Sequence, residues 1–288
     1  MKEVLTPLRA QGAKVPPASI SLEEMDRVKK KLLEASGLDF SDYRDRLLMR
    51  RILSHMKSKG ISNTDVYLEW LEANGCEFEN LVEALTVKYT MFFRDPPIFD
   101  LIYRKVLPAL TERKRRTKMQ LVRAWSAGCA SGEEAYSLAI LLWTFMQRQG
   151  DLDAVVIGTD IDLGHLGKAR HGEFSSECMD AVRAHAKSRF FVQKEGKFQV
   201  APHIRSMVRF KLHDLVTDPP LMGTDLIFCR NVLMYFKESL QKRIIRKFYD
   251  ALDEGGILVL GKVEGLLGET GNLFERLDRR EQIFMRKP

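Results

Sequence analysis

The chain has 288 residues, 45% of them hydrophobic and 30% charged, which excludes a disordered tail and leaves room for about two domains. Forty-six basic against 39 acidic residues leave a net charge of +7, a surplus that points to an anionic partner without naming one. With so many acids interspersed, a nucleic-acid coat protein is excluded, and no nucleic-acid partner is expected.

The start, Met1 to Ser19, carries Arg9, Lys14 and two prolines but no apolar run, so it is not a secretory signal. The longest apolar stretch, Ser137 to Met146, falls well short of the ~20 residues a membrane helix needs, and no membrane insertion is expected. Cys76, Cys129, Cys178 and Cys229 stand too far apart for a disulfide framework or a Cys-x-x-Cys metal site. They read as reduced, mostly buried thiols of a cytoplasmic protein. None of the six histidines clusters with Cys or carboxylates at metal spacing, so no metal is expected.

Residues 1–20 read as a flexible tail, since Gly12, Pro16 and Pro17 sit among polar residues without a period. Ser21-Leu22-Glu23-Glu24 is an N-cap signal that opens a helix through Ala35, and Gly37 stops it. A second helix is predicted from near Ser41 to Lys59, with Leu48, Ile52 and Met56 in one stripe. Helical patterns over Thr64–Asn74 and Phe78–Lys88 complete an all-helical unit at 21–87, followed by a linker at 88–100.

Residues 101–288 change character. Short apolar runs at Gln120–Ala127, Ala154–Thr159, Met207–Leu212, Asp225–Cys229 and Gly256–Leu260 read as strands. Helical patterns at Glu133–Gln147, Gly164–His171 and Lys237–Leu252 lie between most of them. That alternation predicts a mostly parallel sheet with helices on both faces. Arg276 to Lys287 reads as one final strand entered through a reversal. Between about 172 and 206 the alternation breaks, and Phe190–Val200 reads as a hairpin turning at Glu195-Gly196.

The first strand runs into Trp125-Ser126-Ala127-Gly128-Cys129-Ala130-Ser131-Gly132-Glu133-Glu134, with a helix next. Glycines at that turn let a ligand approach the backbone at the carboxyl edge of the sheet. The dinucleotide fingerprint G-x-G-x-x-G is absent, and two glutamates at a helix start would repel a pyrophosphate. A cationic ligand fits better. S-adenosylmethionine carries a sulfonium and an ammonium, and its ribose hydroxyls suit the acid at the tip of the second strand, Asp160.

Four segments together resemble the chemotaxis receptor glutamate O-methyltransferases, the CheR family. They are Tyr89-Thr90-Met91-Phe92-Phe93-Arg94, Trp125–Leu138, Thr159-Asp160-Ile161-Asp162 and Ile227-Phe228-Cys229-Arg230-Asn231-Val232-Leu233-Met234-Tyr235-Phe236. They stand in the family's order, and the resemblance runs from about residue 25 to the end. It implies a Rossmann-like S-adenosylmethionine-dependent α/β sheet with an antiparallel last strand, an all-helical N-terminal domain and a small β-subdomain.

It also implies methyl transfer to glutamate side chains on the cytoplasmic helical domain of chemoreceptors, leaving S-adenosylhomocysteine. Carried over by position, Lys88, Thr90 and Arg94 fall on the interdomain segment at the cofactor mouth; relatives can carry asparagine where Lys88 stands. Glu134 would contact the cofactor and Asp160 the ribose. Asp214 and Leu215 would flank the adenine, with Arg230 and Asn231 beneath the methionine portion. Tyr235 would face the methyl group, with Arg94 and Arg230 guiding or organising the site.

Gly261-Lys262-Val263-Glu264 replaces the family's more usual glycine-histidine-serine-glutamate, and Lys262 is given no role. Phe92 and Phe93 are expected to form a hydrophobic plug between the domains. On the second helix, Arg44, Arg46, Arg50 and Arg51 are the expected substrate-binding residues, since the family engages an acidic receptor bundle through this domain. The short hairpin favours action without a receptor tether, and a monomer is expected.

Two rivals remain. Asp95-Pro96-Pro97-Ile98, Asp218-Pro219-Pro220-Leu221 and the basic run 112–118 could belong to a nucleic-acid methyltransferase. However, neither proline pair follows the fourth strand. A non-catalytic S-adenosylmethionine sensor is the other.

Overall fold

A computed structural model describes residues 20–85 and 90–288. The chain divides into two compact units, Met1–Thr86 and Val87–Pro288. Of the expected tail only Ile20 is described; it is 2% exposed and packs into the first core. Lys88 lies outside the described residues.

The described residues of the first unit form four helices. In α1 (Leu22–Ser36) the Glu24 amide donates to the Ser21 hydroxyl and the Ser21 amide to the Glu24 carboxylate, a reciprocal cap. Helix α2 (Asp45–Ser58) starts four residues later than the sequence suggests. Asp39 accepts from the Ser41 amide and Tyr43 N–H donates to Phe40 O, so that stretch is spent on turns. Asn63 caps α3 (Thr64–Ala73), and α4 (Cys76–Leu85) follows. Met25, Leu32, Ile52, Met56, Tyr67 and Leu81 anchor their shared core.

The second unit opens with a helical run that the sequence conceals: α5 (Pro96–Leu101), a π turn (Ile102–Val106) and α6 (Leu107–Arg116). Its prolines look like breakers, yet Pro96 and Pro97 sit in the first turn, where a missing N–H costs nothing, and Pro108 follows directly on the π turn. The segment expected to be a linker is therefore helical from residue 96.

The sheet then builds in order: β1 (Leu121–Ala127), α7 (Glu133–Met146), β2 (Asp153–Asp160) and α8 (Leu163–His171). A small insertion follows, comprising β3 (Glu173–Phe174), α9 (Ala184–Phe190), β4 (Phe191–Lys194), β5 (Lys197–Val200) and α10 (Pro202–Arg205). The chain returns as β6 (Val208–Leu212), β7 (Thr224–Cys229), α11 (Glu238–Ala251), β8 (Leu252–Leu260), β9 (Phe274–Asp278) and β10 (Ile283–Arg286).

The large sheet has the order β6-β2-β1-β7-β8-β10-β9. Its first five strands are parallel, and β10 lies antiparallel to both neighbours. This is a Rossmann-like methyltransferase sheet with an antiparallel last strand. Every residue of the central β7 is buried, as a strand covered on both faces must be.

The single strand expected at the C-terminus is a hairpin. Asp278 Oδ1 accepts from the Arg280 and Glu281 amides and folds the chain back. The insertion is a three-stranded antiparallel sheet, β3-β5-β4, turning at Glu195 and Gly196 with φ of 51° and 77°. Phe92 meets Phe174 and Phe191 at centroid distances of 4.8 and 5.0 Å, so the plug it makes seals this small sheet.

The basic run at the end of α6 is structural. Asp225, 0% exposed, takes Lys114 Nζ at 2.7 Å, Arg113 Nη2 at 3.2 Å and the Arg123 amide at 2.9 Å. Arg115 pairs with Asp151 at 2.7 Å and Arg116 with Glu112 at 3.2 Å. Replacing Asp225 by Ala takes the 2.7 Å partner from the buried Lys114 ammonium, leaving it Asp253 at 3.6 Å, and should cost about 3 kcal/mol. A urea midpoint that falls with an unchanged slope would report it.

Candidate active site

The glycine-rich loop is fastened to the tip of β2. The Gly128 and Cys129 amides both donate to Thr159 O at 2.8 Å, and the Ala130 amide donates to Asp160 Oδ2 at 2.8 Å. Gly132 has φ 99°, and a Cβ there would stand 2.9 Å from that of Ala169, so the loop admits no side chain. Asp160 Oδ1 also accepts from the Asp162 amide at 3.0 Å. Each carboxylate oxygen is thus oriented by one backbone donor and keeps a lone pair for a ligand. Burial pushes the Asp160 carboxyl above its ordinary value, opposed by those two amides.

The two glutamates that open α7 do different things. Glu133, 3% exposed, is held by the Ser131 hydroxyl at 2.9 Å. Glu134 accepts from the Ser126 hydroxyl at 2.8 Å and faces Arg230 Nη1 at 3.4 Å. Burial raises the Glu134 carboxyl, with Arg230 pulling the other way.

Arg230 leaves the tip of β7, and its side chain is 1% exposed. Nη2 meets Asp95 Oδ2 at 2.5 Å, and Nη1 donates to Arg94 O at 3.0 Å. Lys262 Nζ reaches the other Asp95 oxygen at 3.0 Å. Burial alone would raise the Asp95 carboxyl, but Lys262 and Arg230 together hold it below the ordinary value. A continuous chain, Lys262–Asp95–Arg230–Glu134–Ser126, results. The Arg94 side chain is half-buried, and its charge is felt by both Asp95 and Glu134.

The next residues are shaped by Glu264, which is 7% exposed. Its Oε2 accepts from the Asn231 amide at 2.8 Å and the Gly261 amide at 2.7 Å, and its Oε1 from the Met234 amide at 3.1 Å. Asn231 is thereby held at φ 61°, and Tyr235 stands half-buried at the end of the short turn Leu233–Tyr235. Asn231 Oδ1 is buried and has no partner among the described residues.

Thr90 is half-buried. After β6, Asp214 is tied into its own turn, accepting from the Val216 amide and the Thr217 hydroxyl, with Leu215 buried beside it. In the helical unit Arg44 is the N-cap of α2, and Arg46 and Arg50 are exposed one turn apart. Arg51 faces elsewhere: it donates to the Ala84 and Leu85 carbonyls at the end of α4. Cys129 and Cys229 are buried, and desolvation pushes both thiols up. Cys178 is half-buried and Cys76 exposed, so the expectation of mostly buried thiols holds for two of the four. Among the described residues no His, Cys, Asp and Glu group is arranged to hold a metal.

The structure therefore gathers Arg94, Glu134 and Arg230 around one network. Sequence reasoning missed Asp95, Ser126 and Glu264 and gave Lys262 no role. Asp95 was hidden by the prolines that follow it, and Glu264 by the unusual residues in front of it.

Residues 88–283 match the S-adenosylmethionine-binding domain of CheR methyltransferase, and residues 23–86 match its all-alpha domain. The chain belongs to the CheR methyltransferase family. A chemotaxis protein methyltransferase of Listeria innocua is 34% identical over 232 residues, covering 80% of this chain and 86% of its own. One from Borreliella burgdorferi is 31% identical over 256 residues, covering 87% and 90%. The crystal structure of a TehB-like methyltransferase from Corynebacterium glutamicum aligns with 65% of this chain and 94% of its own at 16% identity, with a TM-score of 0.35; that likeness adds nothing to the assignment. As a CheR-family member, the chain is an S-adenosylmethionine-dependent methyltransferase of chemotaxis. No helix among the described residues is long and apolar enough to cross a membrane.

The residues present suit that cofactor. Buried carboxylates at the loop tips favour a ligand with two positive centres, and the unpartnered Asn231 oxygen can accept from an ammonium.

Two expectations follow. Because Glu134 and Asp160 titrate above ordinary carboxyls, the fold holds their protons more tightly than the unfolded chain does. Their protonation therefore favours the empty fold as pH falls, while a cationic ligand needs them ionised. Calorimetric affinity for S-adenosylmethionine, measured without an acceptor, should drop several-fold, about one logarithm at most, between roughly pH 7.5 and 5. Asp160→Asn should flatten that dependence. Glu264→Ala strands three amides and should weaken the same affinity by about tenfold, with a stability loss of ~2 kcal/mol in denaturant titration.

Proposed function

We propose that this chain transfers a methyl group from S-adenosylmethionine to glutamate side chains of chemoreceptors, forming methyl esters. The observation that carries the reading is the pairing of two arginines at the site. Arg230 is buried and already neutralised by Asp95 and Glu134, while Arg94 stands half-exposed beside it. One cation organises the site; the other is placed to draw in an anion.

In this reading Asp160 holds the ribose hydroxyls, and Asp214 and Leu215 take the adenine. Glu134, with Arg230 and Asn231 behind it, receives the methionine end, and Thr90 borders the mouth. The cofactor supplies a methyl group on a sulfonium, which leaves S-adenosylhomocysteine when a nucleophile takes the methyl. A glutamate carboxylate is ionised near neutral pH and brings its own electron pair, so no general base is required.

The protein's work is alignment: Arg94 steers the carboxylate and the Tyr235 hydroxyl orients it, without a tight ion pair that would blunt it. The spent charge of Arg230 fits this, since an uncompensated guanidinium in its place would hold the nucleophile too strongly.

Docking on an acidic receptor bundle falls to the helical unit. Arg46, Arg50 and Lys57 share one exposed face of α2, with Arg44 at its start. Arg51, engaged with α4, serves that face by fixing the helix rather than by touching the partner.

Incubation with labelled S-adenosylmethionine and a receptor cytoplasmic fragment should give base-labile methyl ester on the fragment. Label in nucleic acid, or binding without transfer, would overturn the reading. Tyr235→Phe should lower turnover by about ten- to a hundredfold with S-adenosylhomocysteine affinity nearly unchanged. Equal losses in both would remove the orienting role. Arg46→Glu with Arg50→Glu should raise the KM for the fragment by about tenfold and flatten its salt dependence.

A further inference from the structure

On the flank of the sheet, away from the loop at the tip of β7, lies a cavity of about 470 Å³ lined by Tyr136, Arg170, Pro202, Arg205, Arg209 and Phe210, among others. Its size is within the range of small-molecule sites. Three guanidinium groups border it, from the end of α8, from α10 and from the start of β6. None of the three pairs with a carboxylate among the described residues. They are held instead by neutral carbonyls: Arg170 Nη2 by Phe210 O at 3.2 Å, Arg205 Nη2 by Arg170 O at 3.2 Å, and Arg209 Nη1 by Ser206 O at 2.8 Å.

Those bonds orient the side chains without cancelling their charge. Arg170 and Arg209 each use one terminal nitrogen on the backbone and keep their remaining donors, while Arg205 also meets the Tyr136 hydroxyl. Elsewhere in the unit Arg113, Arg115, Arg116 and Arg230 meet carboxylates, while Arg286 is likewise held by a carbonyl, that of Leu252. Three like charges around one hollow repel one another, a cost that a polyvalent anion would relieve. Fixed planar forks match phosphoryl oxygens better than a single carboxylate. Pro202, Val208 and Phe210 give the cavity an apolar wall beside them.

That wall is shared. A Cβ at Gly158 would stand 2.7 Å from the Phe210 ring, and one at Gly132 3.1 Å from it, so Phe210 backs directly onto the glycine-rich loop and β2. The Tyr136 hydroxyl donates to Ala169 O at 2.8 Å from α7, the helix that this loop starts.

We propose that the cavity is a second ligand site, taking a small phosphorylated molecule on Arg170, Arg205 and Arg209, and that its occupancy is felt at the cofactor loop through Phe210. The site is independent of which acceptor is methylated.

Titration calorimetry on the full chain, at a fixed ionic strength of about 0.15 M, would use two probes, inorganic pyrophosphate and ADP. One-to-one saturable binding below about 1 mM is expected for pyrophosphate. Tighter binding of ADP would assign the apolar wall to a nucleoside. Arg170→Glu with Arg209→Glu, two exposed positions, should weaken binding by at least about tenfold, whereas the Lys versions should lose less. In phosphate-free buffer the Glu pair should leave S-adenosylhomocysteine affinity within about twofold, which also shows that the fold is intact. Saturating pyrophosphate should shift that affinity several-fold in the unaltered chain and not in the Glu pair. Absence of saturation, equal binding by the Glu pair, or an unmoved S-adenosylhomocysteine affinity would overturn the proposal.

Discussion

The catalytic unit depends on one buried guanidinium. Arg230 has almost no access to water, and a charge in that position is tolerable only where opposite charges and good acceptors surround it. Asp95 and the Arg94 carbonyl, from the junction segment, and Glu134, from the start of α7, meet that demand. Satisfying Arg230 therefore fixes the junction segment, the first helix after the glycine-rich loop and the tip of the fourth parallel strand in one act. Ser126 and Lys262 extend the arrangement at its two ends, so that Asp95 and Glu134 each have two partners.

Around that network the site is assembled from backbone donors turned inward. Asp160 and Glu264 each collect amides from the loops they face, and this replaces regular hydrogen bonding where the strands end. Both acids are then structural, and each Asp160 oxygen, bound to one amide, keeps a lone pair for a ligand. A cationic cofactor can be held by such groups without rearrangement, since the positions of the acids are set before it arrives.

Much of this was legible in the sequence, for reasons that are local. Ser21 with Glu24 is a cap written in four residues, and the apolar runs of β1, β2 and β7 have no alternative but a sheet covered on both faces. Asp160 could be placed because a strand tip puts its last side chain at the sheet edge. What could not be read depends on contacts distant in sequence. The helix at Pro96 is hidden because a proline looks the same whether it starts a helix or breaks one. The partners of Arg230 lie 96 and 135 residues away, and nothing local marks Asp95 as their meeting point. Arg51 reads as one more cation in a basic stripe; only the position of α4 reveals that it caps carbonyls.

Phe93 and Asp95 sit at φ 50° and 59°, a conformation that side chains other than glycine adopt at a cost of about 1–2 kcal/mol each. The segment between them cannot hold that shape by itself; it waits for a partner 135 residues further along. At a ribosome adding ~5–20 residues per second, the delay between making Asp95 and making Arg230 is on the order of ten seconds. During synthesis the helical unit can therefore finish its own core well before the mouth of the catalytic unit acquires its form.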